Sequence, residues 1–288
     1  MNEYDLPEGM NANDLNEGMK TGTAIQLPFE VPYLYVVNGD SRLKQLGNVP
    51  YFGGIQADYD QFIDAGASFG KEIPPHGFVE ADVDGRDNKA LHVFQSRNIL
   101  LAPIAIRKSW FSESNGVITR NIEYFSGARQ HLQVLAHLGS KEEGRIISWG
   151  PAVLSAKGFQ VNNITDALAA WKNFIDKNRK MAGIPENIPA WCFYMSLGTF
   201  GDKQIVKQVG KTGAQSSITP VMAYVPEKAD TDLFKKLYVG KDVVEEMLIR
   251  KTQATEWLGA WGKLTPKAEE RQKVSDQEPP EEDDQIPF

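Results

Sequence analysis

Cysteine is nearly missing from this chain: Cys192 stands alone among 288 residues. That excludes an internal disulfide and any thiolate metal cluster within the chain. Histidine is scarce too, and His76, His92, His131 and His137 show no metal-ligand spacing such as His-x-x-x-His. No apolar run approaches the ~18 residues of a membrane span. The first twenty residues are acidic and polar, where a secretory leader would be basic and then apolar. A cytoplasmic protein with no membrane partner is the expectation. Catalytic motifs are equally sparse. There is no Gly-x-Ser-x-Gly elbow. Gly210-Lys211-Thr212 matches the end of a phosphate-binding loop, but Ile205 stands where that loop needs a glycine to wrap a phosphate. The sequence therefore predicts no enzyme, no cofactor and no metal.

Basic charge is in short supply overall, with a net charge of -7. The deficit is confined to the ends. Residues 269 to 288 hold eight acids and two bases, residues 1 to 20 five acids and one base, and the stretch between them carries +3. A mildly basic body between two acidic ends is compatible with binding a polyanion.

What the chain does have is strand pattern. Residues 1–27 lack apolar periodicity and read as a flexible acidic arm. Residues 28–262 read as the folded body, which opens with a strand over Val31 to Val37 that ends at Asn38-Gly39-Asp40. Residues 41–88, rich in Gly, Pro, Asp and aromatics, predict a long irregular insertion with short strands. Then come Leu91 to Gln95, Ile99 to Phe111, Gly116 to Phe125, His131 to Leu138 and Arg145 to Leu154. Turn signals at Ser114-Asn115-Gly116, Ser126-Gly127 and Glu143-Gly144 separate them, as in an antiparallel meander. A helix follows, capped by Asn163 or Thr165, with Ile164, Ala167, Leu168, Trp171, Phe174 and Ile175 at helical spacing up to Gly183 and Pro185. Strands resume at Trp191, Gln204 and Ser217.

The fold class is a β-rich α+β body. Strands, one helix, then further strands is the order of an OB-fold barrel, with its helix between strands 3 and 4; a generic α+β sheet domain shares that order. Residues 230–262 predict C-terminal helices, at Asp230 to Tyr238 and Lys241 to Trp261. The second carries Val244, Met247, Leu248, Leu258 and Trp261 as its apolar stripe. Residues 263–288 read as a disordered linker and acidic tail.

One stretch combines charge with rings. Between residues 97 and 129, Arg97, Arg107, Lys108, Arg120 and Arg129 interleave with Trp110, Phe111, Tyr124 and Phe125, against only Glu113 and Glu123. Single-stranded DNA is bound by this mixture, cations on phosphates and rings stacked on bases for ~1–3 kcal/mol each. Because alternate strand residues face inward, about half of these rings should be core. Tyr33, Tyr35 and Trp149 are further candidates by the same logic.

The chain ends Glu281-Glu282-Asp283-Asp284-Gln285-Ile286-Pro287-Phe288. Four consecutive carboxylates hold this end in water, and Ile286, Pro287 and Phe288 have no core within reach. Such a peptide suits a basic-rimmed pocket on a partner, with Phe288 as the anchor and the acids steering approach. This tip resembles that of bacterial single-stranded DNA-binding proteins, which finish Asp-Asp-Ile-Pro-Phe; here Gln285 intervenes. The resemblance covers fewer than ten residues. It implies a protein of DNA replication, recombination or repair that coats single-stranded DNA and recruits other proteins through Asp283, Asp284, Ile286, Pro287 and Phe288. A body unlike that family points to a version carried by a phage or plasmid, and a homo-oligomer is compatible with it. The rival expectation is an interaction protein that does not bind DNA and mimics such a tail to engage replication or repair factors. A DNA-processing enzyme is the third.

Overall fold

The computed structural model describes residues 26–37, 54–84, 90–114, 117–199, 207–209, 216–218, 221–227 and 229–261. Most of the acidic arm, the linker, the acidic tail and Gly210-Lys211-Thr212 lie outside the described residues.

The centre of the fold is a hairpin of two long strands, β7 (Arg129–Glu142) and β8 (Arg145–Lys157). Glu142 pairs with Arg145, leaving the two-residue turn Glu143-Gly144 with φ of 47° and 79°. Two positive φ values mark the turn whose twist suits paired strands, and only Gly144 adopts one without a Cβ penalty. Against β7 lies β5 (Asn98–Ser114), whose outer part pairs with β6 (Val117–Asn121). The start of β5 pairs with β9 (Met195–Gly198), which pairs with β12 (Met222–Ala223). On the far side of β8, β1 (Tyr33–Val37) runs parallel to it. Beyond it come β2 (Gly54–Asp58), β4 (Ala90–Ser96) and β3 (Val79–Asp84), all antiparallel. These ten strands form one curled, half-barrel sheet in a strand-rich mixed α/β body. A short pair, β10 (Lys207–Val209) and β11 (Ser216–Ile218), stands apart.

Of the meander expected from Leu91 onward, only the pairings of β5 with β6 and of β7 with β8 form, because β7 returns past β6 to pair with β5 itself. β4 joins β2 and β3 at the other end of the sheet, since cross-strand partners are chosen by burial and not by chain order. In the described part of the insertion expected over 41–88, β2 and β3 are short strands as expected, and helix α1 (Tyr59–Phe69) between them was not foreseen. Asp58 caps α1 by accepting from the Gln61 amide, and Gly70 closes it at φ 62°. Its dense Gly and Pro content hid a short element with proper caps.

Helix α2 (Phe159–Asn178) buries Val161, Ile164, Ala167, Leu168, Trp171, Phe174 and Ile175 against one face of the sheet. It begins well before the expected caps. Gly158 is its N-cap residue, Asn163 bonds Gln160, and the Thr165 hydroxyl donates back to the Val161 carbonyl inside the helix. It lies between β8 and β9, not between the third and fourth strands of the chain. After a short 3-10 turn at Ala190–Cys192, the strand expected at Trp191 starts only at Met195.

Helices α3 (Thr231–Leu237), α4 (Lys241–Gln253) and α5 (Thr255–Ala260) complete the described chain. The single helix expected over 241–261 breaks at Ala254, which is fully buried. Of its stripe, Met247 and Trp261 are buried while Leu248 is 60% exposed. The break turns α5 onto the opposite sheet face from α2, where Ala254 and Trp257 pack on Leu135 and Val153 beside Leu27, Phe29, Val31 and Tyr33.

Candidate nucleic-acid interface

Strand register decides which of the expected contact residues meet. Phe111 pairs with Arg120 on β6 and with Arg129 on β7; Ser109 pairs with His131, and Arg107 with Gln133. Across β7, His131 pairs with Lys157 and Gln133 with Ser155, and Ser155 pairs with Tyr35 of β1. Directly paired residues share a face. Arg107, Phe111, Arg120, Arg129 and Tyr35 therefore lie on one side of the sheet, together with Lys157 and His131. This is the face that α5 partly covers.

Arg107 is 7% exposed. Its Nε and Nη2 donate to Gln133 Oε1 at 2.8 and 2.6 Å, and its Nη1 donates to the Trp257 carbonyl at 2.6 Å. The guanidinium lies over the Trp257 ring at 3.6 Å and the Trp261 ring at 4.2 Å. Half-buried Arg120 donates to Ser109 Oγ at 2.8 Å and to His131 Nδ1 at 3.0 Å, and stacks on Trp261 at 4.4 Å. Among the described residues, every partner of these two cations is neutral. Burial, with Arg120 nearby, pulls the Arg107 pKa down to about 9; burial lowers Arg120 as well. Burial and then the charges of Arg120, Lys157 and Arg107 push His131 down to about 3. His131 is thus neutral. With Nδ1 accepting from Arg120, its proton sits on Nε2, which donates to Ser155 Oγ at 2.8 Å.

Three cations, Arg120 again among them, surround the Phe111 ring: Lys157 at 5.1 Å, Arg120 at 5.6 Å and Arg129 at 5.9 Å. Like charges gathered this closely raise the positive potential at the end of the sheet, where an anion would lower it.

The other expected residues divide. Lys108 and Trp110 alternate with Arg107 and Phe111 and so point to the opposite face. There Lys108 is exposed, and half-buried Trp110 meets Tyr124 edge-on at 5.0 Å. Phe125 is half-buried and Arg97 exposed. Tyr33 and Tyr35 stack at 6.4 Å, with Tyr35 41% exposed. Two expected stacking rings are interior instead. Phe111, 4% exposed, lies under its cations, and Trp149, 2% exposed, is core. The cause for Trp149 is a register shift. Leu138 pairs with Gly150 and Gly139 with Ser148, so Trp149 is the extra residue of a bulge, and it packs on Phe62 and Phe69. Arg107, expected on phosphates, is instead buried, and each of its three guanidinium nitrogens bonds within the protein. Asp283, Asp284, Ile286, Pro287 and Phe288 lie outside the described residues.

Four members of the face were not among the sequence candidates: Lys157, His131, Trp257 and Trp261. Lys157 was legible from period 2, two residues beyond Ser155, and the tryptophans from their four-residue spacing. That they cover β5 was not. Among the described residues, no group of three or more His, Cys, Asp or Glu side chains is placed to hold a metal, and no helix is long and apolar enough to cross a membrane. No protein-family model, curated protein or solved structure matches the chain.

Proposed function

We propose that this protein binds single-stranded DNA in replication, recombination or repair, and that its C-terminal tail recruits partner proteins. The observation that carries the reading is the convergence of Arg107, Arg120 and Arg129 on the sheet face that carries Phe111, with neutral partners for the first two. Cations held without carboxylates keep their charge for an external polyanion. β6 is the outer strand of this end, so the two faces are one strand apart at its edge. In this reading the phosphates follow Arg129, Arg120 and Lys157, and bases reach round the edge to Trp110 and Tyr124. Lys108 is a phosphate contact on that second face. An OB-like body belongs to the same proposal, supported by a curled sheet with a helix across one face, and so does a cytoplasmic location.

Fluorescence titration with oligo-dT and with duplex of equal length tests it. Preference for the single strand is expected, with a log-log salt slope of about -0.7 per phosphate neutralised. Equal affinity for the duplex, or none for either form, would overturn it, and the latter would favour an interaction protein that engages replication or repair factors through its tail.

A further inference from the structure

We infer that Trp257 and Trp261 are positioning residues of the anion-binding face, holding the guanidiniums of Arg107 and Arg120 by stacking. The inference rests on the nucleic-acid reading above and concerns how that face is kept charged and oriented.

A buried guanidinium needs partners, and the strongest is a carboxylate. A carboxylate would also cancel the charge. Here the partners orient without cancelling: the Gln133 amide and the Trp257 carbonyl for Arg107, the Ser109 hydroxyl and neutral His131 for Arg120. The indole faces supply the rest, at 3.6 and 4.2 Å from Arg107 and 4.4 Å from Arg120. Ring quadrupoles attract a cation while leaving its net charge intact. Trp261 bridges the two arginines and also lies 4.9 Å from the His131 ring. The two tryptophans are four residues apart, Trp261 continuing the helical backbone of α5 at φ -79° and ψ -24°, so both project to the same side. Ala254 and Trp257, buried on Leu135 and Val153, fix α5 over the face. Arginine suits this arrangement where lysine would not, because a planar group stacks and keeps its fork in one plane.

The test uses the full chain with Trp261→Leu and Trp261→Phe. Two quantities are read: oligo-dT affinity across a salt series, and the rate at which phenylglyoxal modifies Arg107 and Arg120, followed by peptide mass spectrometry. Trp261→Leu should weaken binding about tenfold, make the slope shallower by about 0.7, one phosphate's worth, and speed modification of Arg120 several-fold. Trp261→Phe, which keeps a ring, should restore all three towards wild type. A merely structural tryptophan would lower the melting temperature without moving the slope. Should Trp261→Leu not fold, Arg120→Lys keeps the charge, loses the plane and should show the same loss of affinity. A folded Trp261→Leu or Arg120→Lys with wild-type affinity and slope would overturn the inference while the nucleic-acid reading stood. Wild-type protein that ignored oligo-dT would overturn both.

Discussion

Single residues on the charged face have separable jobs. Arg129 is half-buried with its guanidinium 5.9 Å from the centre of the Phe111 ring, and in the proposed reading it offers its charge to a phosphate. Arg129→Gln should make the salt slope of oligo-dT binding shallower by about 0.7 with no change in melting temperature. An unchanged slope would remove it from the interface. His131 has an inward job, and its effect appears in acid. Its pKa lies near 3 in the fold and about 6.5 unfolded, so between those values the unfolded chain binds a proton the fold refuses. Stability should therefore be complete above pH 6.5 and fall as the pH drops towards 3, by up to about 1.4 kcal/mol per unit from this group. Urea midpoints over that range should fall less steeply for His131→Gln. Equal steepness would mean that the imidazole titrates normally.

At the scale of elements, the β5–β6 pair separates two kinds of ring. Trp110 is half-buried against Tyr124 on one side, and Phe111 is interior on the other. Trp110→Ala should cost ~1–3 kcal/mol of oligo-dT binding and leave the fold intact. A folded variant with full affinity would restrict the interface to the cationic face. Trp149, in the β8 bulge against Phe62 and Phe69, should behave in the opposite way. Its replacement by Ala should cost ~3–5 kcal/mol of stability, read by denaturant melting, without altering the affinity of the folded fraction.

On the scale of the whole molecule, charge is distributed so that the acidic ends flank a body with +3. Deleting residues 281 to 288 should leave oligo-dT affinity intact or tighten it, most visibly at low salt, where attraction between tail and body is least screened. Removing Phe288 alone keeps the four carboxylates and loses the ring. Capture of bacterial replication and repair proteins should then collapse while DNA affinity holds. Retention of the same proteins by that variant would make the likeness at the tip a coincidence.

The amino-acid sequence by itself determined the local elements. Alternation marked β5, β7 and β8, the Glu143-Gly144 turn joined the last two, and the apolar spacing from Ile164 to Ile175 marked α2. It also concentrated the cations and rings between residues 97 and 129. Local signals of period 2 and period 3.6 need no partner to be read. Only tertiary structure decided the rest. Register placed Arg107, Arg120 and Arg129 on one side and Lys108 and Trp110 on the other, and a one-residue bulge sent Trp149 inward. The break at Ala254 brought Trp257 and Trp261 over Arg107, 150 residues away for the Trp257 carbonyl bond. Such choices depend on which strands pair and which faces are buried, and those are settled by contacts between segments remote in sequence, on which local periodicity carries no information.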